Sequence, residues 1–89
     1  MYDVHFVWRN QASSVFVAGE FNNWIPIPLL LVDYVWQLSI SLNQGEYRYK
    51  YIVNGNWCID YDQEVDNILG HQNNLIQIHP ESPRRVFRK

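Results

Sequence analysis

The sequence predicts an all-β domain, an antiparallel sandwich of about six or seven short strands, with a small barrel as the alternative architecture. Three observations carry that prediction. Short alternating runs recur about every ten residues, at 4–8, 14–18, 34–42, 46–53, 56–59 and 75–79. Turn formers bound each run: Asn10-Gln11, Gly19, Asn22-Asn23, Asn43-Gln44-Gly45, Asn54-Gly55 and Asn73-Asn74. No stretch of useful length repeats its apolar residues at the 3.6-residue period of a helix.

Each run has its own justification. In VHFVW, Val4, Phe6 and Trp8 fall in step and form a core face. In SVFVA the chain runs apolar until Gly19 and then enters GEFNNW, where Phe21 turns inward and Asn22-Asn23 carry the bend. Trp24 closes that bend with no obvious inward position. The loop 25–32, IPIPLLLV, is apolar enough that some of its leucines must fill the sandwich and others can face a partner domain. In the run 34–42, Tyr34, Trp36, Leu38, Ile40 and Leu42 share one face, the one assigned to the core.

The most specific local signal is Asn54-Gly55, the dipeptide suited to a two-residue type I′ hairpin turn. That turn sets Val53 opposite Asn56, Ile52 opposite Trp57, Tyr51 opposite Cys58 and Lys50 opposite Ile59. Paired residues project from the same face, so Tyr47, Tyr49, Tyr51, Val53 and Cys58 lie on one side, the better core. Arg48, Lys50, Ile52, Trp57 and Ile59 lie on the other. Trp57 and Lys50 become diagonal neighbours on the outer face, with backbones roughly 7–8 Å apart.

Composition excludes several classes of function. Of 89 residues only one is cysteine, Cys58, so neither an intrachain disulfide nor a cysteine-rich zinc site can form, and an intracellular setting is expected. The chain has no apolar run of membrane-spanning length, and its first residues lack a signal peptide's pattern; no membrane partner is expected. Residues 1–80 hold three cations against eight acids, a charge of −5, which argues against nucleic acid. Arg84, Arg85, Arg88 and Lys89 crowd the last residues, so 80–89 reads as a basic tail or linker after a module at 2–79. No nucleophile elbow or phosphate loop is present, and Cys58 projects toward the core; no catalysis is expected. The acidic series Asp60, Asp62, Glu64, Asp66 lacks the glycine and final glutamate of a calcium loop, and His5, His71 and His79 lack metal-ligand spacing, so no metal or cofactor is expected.

Binding chemistry remains. A pyranose offers an apolar face of C–H bonds to an aromatic ring and hydroxyls to amides and ammonium groups around its edge. Trp24 and Trp57 supply rings, Lys50 a donor, and Asn73 and Asn74 amides that donate and accept. The plainer reading of Asn73-Asn74 is a turn entering the last strand.

Four motifs occur in order: F-x-W, then V-F-V-A-G-E-F-N-N-W, then L-x-x-G-E-Y-x-Y-K-Y-x-V-N-G-x-W, then L-G-x-x-N-N-L-I-Q-I. From about Val4 to Ile78 the chain resembles carbohydrate-binding module family 48, in particular the glycogen-binding domain of AMP-activated protein kinase β subunits. The resemblance implies an early-set, immunoglobulin-like β-sandwich that binds α-1,4-linked glucan such as glycogen, starch or maltodextrin and has no activity of its own. It implies sugar contacts by Trp24, Lys50, Trp57, Leu69 and Asn73. Where the family pattern has threonine two residues before that asparagine, this chain has His71, so a hydroxyl contact does not carry over, while an imidazole there is able to hydrogen-bond a sugar. The implied setting is cytoplasmic, or another glucan-storing compartment such as a plastid, with further domains or subunits attached. Two other readings stand beside it: a protein-interaction module with an idle sugar site, and the accessory domain of a glucan branching or debranching enzyme.

Overall fold

The computed structural model describes residues 1–79 and the strand pairing of residues 85–86; the rest of the basic tail lies outside the described residues. The strands are β1 (Tyr2–Trp8), β2 (Val15–Gly19), β3 (Ile27–Pro28), β4 (Leu30–Val32), β5 (Val35–Leu42), β6 (Gly45–Val53), β7 (Asn56–Cys58), β8 (Val65–Ile68), β9 (His71–Ile78) and β10 (Arg85–Val86). A 3-10 turn, Glu20–Asn22, follows β2. They form two sheets, one in the order β10-β1-β5-β4 and the other in the order β3-β2-β6-β9-β8, with β7 added to β6. All pairings are antiparallel except that of β10 with β1. The predicted all-β sandwich is the observed fold.

The inner faces meet as the alternation requires. Val4 and Phe6 from β1, Val15 and Val17 from β2, Tyr49 and Tyr51 from β6, and Ile76 and Ile78 from β9 are fully buried. Trp8 and Trp36 pack against them from the rim, and so do Tyr47, Val53 and Cys58. The tyrosines earn their inner positions with edge-on contacts: Tyr49 meets Phe6 at 5.1 Å and Tyr51 at 5.8 Å between ring centroids. The Tyr51 hydroxyl accepts the N–H of Val7 at 3.2 Å, tying the two sheets together.

The hairpin register is the one that Asn54-Gly55 predicts, with Val53 opposite Asn56, Ile52 opposite Trp57 and Tyr51 opposite Cys58. Both turn residues have positive φ, 51° and 84°. Ile59 falls beyond the end of β7, so the predicted pairing with Lys50 is not among the strand pairs.

Three expectations need correction. Tyr34 does not continue the core face of the fifth run: Asp33 and Tyr34, at φ 50° and 67°, form the two-residue turn between β4 and β5, and the Tyr34 side chain is 94% exposed. The loop 25–32 contains two short strands; Leu29 between them is buried, while Leu30, Leu31 and Val32 of edge strand β4 are exposed. Asn73-Asn74 is not a turn, because β9 already begins at His71. The turn is Leu69-Gly70, at φ 52° and 81°, and it joins β9 to β8, a strand that the acidic series conceals.

Candidate functional site

Trp24 and Trp57 are brought together on the outer side of the six-stranded sheet. Their ring centroids lie 6.5 Å apart, their planes are tilted by 49°, and they are 37% and 51% exposed. Trp57 is where the hairpin register puts it, on β7 opposite Ile52. Trp24 comes from an unrelated segment and needs its own support.

That support is mostly main chain. The Trp24 N–H donates to the Gly19 carbonyl at 2.9 Å, the Gly19 N–H donates to Asn22 Oδ1 at 3.1 Å, and Asn22 Nδ2 donates to the Ile25 carbonyl. Asn23 and Trp24 both adopt left-handed backbone, at φ 58° and 61°. Such geometry is ordinary for asparagine and an outlier for a bulky residue, held only where the surroundings over-determine it. Phe21 anchors the bend from below, 5.3 Å from the Phe6 ring and 6.3 Å from that of Tyr47. Gly19 does not serve by freeing the backbone, since its φ of −169° is extended. It serves by close approach: a Cβ there would meet the Arg48 carbonyl oxygen at 2.6 Å and the Tyr49 Cβ at 2.8 Å.

Beyond Gly19 the second strand no longer pairs with β6. Glu20 Oε1 takes over by accepting the N–H of Arg48 at 2.8 Å. The Arg48 guanidinium lies 3.6 Å from the same carboxylate and donates through Nε to Asp66 Oδ2 at 2.5 Å. The hydrogen bond to Asp66, followed by the charges of Asp66, Glu20 and Glu46, raises the Arg48 pKa against the opposing effect of desolvation. This chain of charges links the Trp24 bend to β6 and β8. Sequence reasoning missed it because the partners lie 18 and 28 residues from Arg48.

Lys50 stands where β6 changes neighbour. Residues 45–49 of β6 pair with β9, residues 51–53 pair with β7, and Lys50 lies between. Lys50 is half-buried, shares the face of Trp57, and makes no ion pair among the described residues. Asn73 and His71 alternate along β9 on that same outer face, Asn73 half-buried and His71 exposed. Leu69 occupies the β8–β9 turn, 94% exposed and on left-handed backbone.

Asn74 does something other than supply an amide to the surface. It is fully buried, with Oδ1 accepting the Asp60 N–H at 2.9 Å and Nδ2 donating to the carbonyls of Asp60 and Glu64 at 2.8 and 3.1 Å. One side chain thereby pins the segment leaving β7 against β9, the two strands that flank Lys50. Burial in this region raises the Asp60 carboxyl and the Cys58 thiol above their ordinary values. A thiol shifted in that direction is a poorer nucleophile at neutral pH.

Tilted aromatic rings on a small β-sandwich stand beside strand-borne amides and an ammonium that makes no ion pair among the described residues, and comparison with known families places the chain among carbohydrate-binding modules. Within that class it belongs to the family described as the glycogen recognition site of AMP-activated protein kinase, whose sequence pattern matches residues 2–84. It is 35% identical over 74 residues to 5'-AMP-activated protein kinase subunit beta-1 of Sus scrofa, covering 82% of this chain and 61% of that one. Against subunit beta-1 of Homo sapiens the identity is also 35% over 74 residues, 82% of this chain and 27% of the relative. Subunit beta-2 of Mus musculus is 37% identical over 73 residues, 80% of this chain and 27% of the relative. The chain thus spans less than two thirds of each of these proteins.

Proposed function

We propose that this chain binds α-1,4-linked glucan, such as glycogen, starch or maltodextrin, without chemically altering it, and tethers an attached kinase subunit or enzyme to the polysaccharide. The observation that carries this reading is the exposed Trp24–Trp57 pair. Two rings inclined by 49° fit a chain whose successive glucose units turn relative to one another, as those of a coiled α-1,4 glucan do, better than they fit a flat ligand. Each glucose presents its C–H face to a ring, Lys50 donates to hydroxyls, and Asn73 and His71 exchange hydrogen bonds with others. Leu69 supplies an apolar edge against the curved chain.

Magnitudes fit a weak, reversible tether. Burying one sugar face on a ring contributes roughly 2–3 kcal/mol at about 25 cal/mol per Å². Immobilising a flexible oligosaccharide offsets much of that, so a Kd on the order of 10 µM to 1 mM is expected. Titration with maltoheptaose should change tryptophan emission as the rings are covered; no change up to several millimolar sugar would refute the reading. Trp24→Ala and Trp57→Ala should each abolish retention on glycogen while the fold persists, and normal retention by either variant removes that ring from the mechanism.

A protein-interaction role with an idle sugar site has its own support in the exposed Ile25, Leu30, Leu31 and Val32. Those residues lie in the segment leaving the Trp24 bend and on edge strand β4, so a partner there and a glucan on the rings are compatible. Unchanged emission with sugar, together with retained binding to an attached subunit, would make this the better reading.

A further inference from the structure

Among the described residues, six other than glycine have positive φ, and they divide cleanly. Asn23, Asp33 and Asn54 belong to the types that tolerate left-handed backbone; Trp24, Tyr34 and Leu69 do not. All three of the latter are large, exposed and held at tight turns. Trp24 and Leu69 are already assigned to the proposed glucan surface. Tyr34 is built in the same way and has no role there.

Tyr34 lines a broad, open surface cleft of about 730 Å³. The cleft opens between the β1–β2 loop, the β4–β5 turn and the tip of the β6–β7 hairpin. Its lining includes Arg9, Asn10, Leu31, Tyr34, Trp36 and Asn54. Asn54 Oδ1 is engaged by the N–H groups of Ser13 and Ser14, at 2.7 and 3.3 Å, which leaves its Nδ2 as a donor without a partner among the described residues. Arg9 likewise makes no ion pair there. Two aromatic side chains at the cleft accompany amide and guanidinium donors, the same chemistry as the Trp24–Trp57 surface, here in a broad open cleft.

We propose that this cleft is a second glucan subsite, with the Tyr34 ring as its stacking surface and Arg9, Asn10 and Asn54 donating to or accepting from hydroxyls. The proposal rests on the glucan reading above, because only a ligand already engaged by the tryptophan pair makes a second contact of the same chemistry useful. A polysaccharide with many neighbouring chains can occupy both, and two weak contacts linked in this way strengthen retention beyond either alone.

The test is a maltoheptaose titration of the isotope-labelled 89-residue chain followed residue by residue by NMR. Two sets of shifts are expected, one at Trp24 and Trp57 and one at Arg9, Asn10 and Tyr34, with intermolecular contacts between sugar C–H protons and the Tyr34 ring. The second set should persist in Trp24→Ala/Trp57→Ala and vanish in Tyr34→Asn, a substitution that suits left-handed backbone and so should fold. Tyr34→Asn should also weaken retention on glycogen by about tenfold, equivalent to about 1.4 kcal/mol. Shifts confined to the tryptophans overturn the second subsite and leave the first intact. Cleft shifts without sugar contacts to Tyr34 overturn it as well, by showing transmitted change. No shifts anywhere overturn both.

Discussion

Gly19 shows how much a single residue can carry without touching the ligand. Its hydrogen replaces a Cβ that would press on the Arg48 carbonyl oxygen and the Tyr49 Cβ, both parts of a strand paired on each edge. Neither can give way cheaply. Gly19→Ala should therefore destabilise the fold by about 1–3 kcal/mol, the usual range for forcing extra volume into a packed site. That corresponds to a fall of roughly 4–24 °C in the thermal midpoint at this size, measurable by circular dichroism. The sequence marks Gly19 as a strand end; that it is demanded by close approach rather than by a turn is visible only once β2 and β6 lie side by side.

Among the elements, the segment between β7 and β8 holds the clearest electrostatic signature. Burial raises the Asp60 carboxyl, with the Asp62 charge adding to it, while the hydrogen bond from the Asp62 N–H acts in the opposite direction. A carboxyl raised in the folded state opposes folding once it must ionise. The penalty is complete above the raised value and absent below the unfolded value, about 3.9. Asp60→Asn keeps an acceptor for the Asp62 N–H, so it should raise the thermal midpoint at pH 7. The gain should shrink as pH falls through the carboxylate range; a gain independent of pH would point to packing instead. Most of the neighbouring element structure was legible. The Asn54-Gly55 hairpin could be read residue by residue because turn chemistry fixes register locally. The beginning of β9 could not, since His71, Gln72, Asn73 and Asn74 contain no apolar residue to alternate; what makes them a strand is pairing with β8 on one side and the buried anchoring of Asn74. For the same reason Trp57 and Lys50 were found as neighbours from spacing alone, whereas the 6.5 Å approach of Trp24 depends on contacts between distant segments.

At the scale of the whole molecule, the charge balance and the proposed site make opposite demands on solvent. Residues 1–80 carry a charge of −5, yet the proposed glucan surface relies on rings, amides and Lys50, and an α-glucan is uncharged. Affinity that rests on apolar contact and hydrogen bonds has no counterions to release. Retention on glycogen should therefore change by less than about twofold between roughly 50 and 500 mM salt, whereas a contact made by the basic tail would weaken steeply over that range.

Trp24 is fastened to the sheet through the backbone of Gly19 and the amide of Asn22, and its indole contributes to none of the bonds that hold the bend. The fold therefore works as a socket. The ring it presents can be exchanged for another side chain with the frame left standing, so this position is free to diversify in surface chemistry while the architecture stays the same.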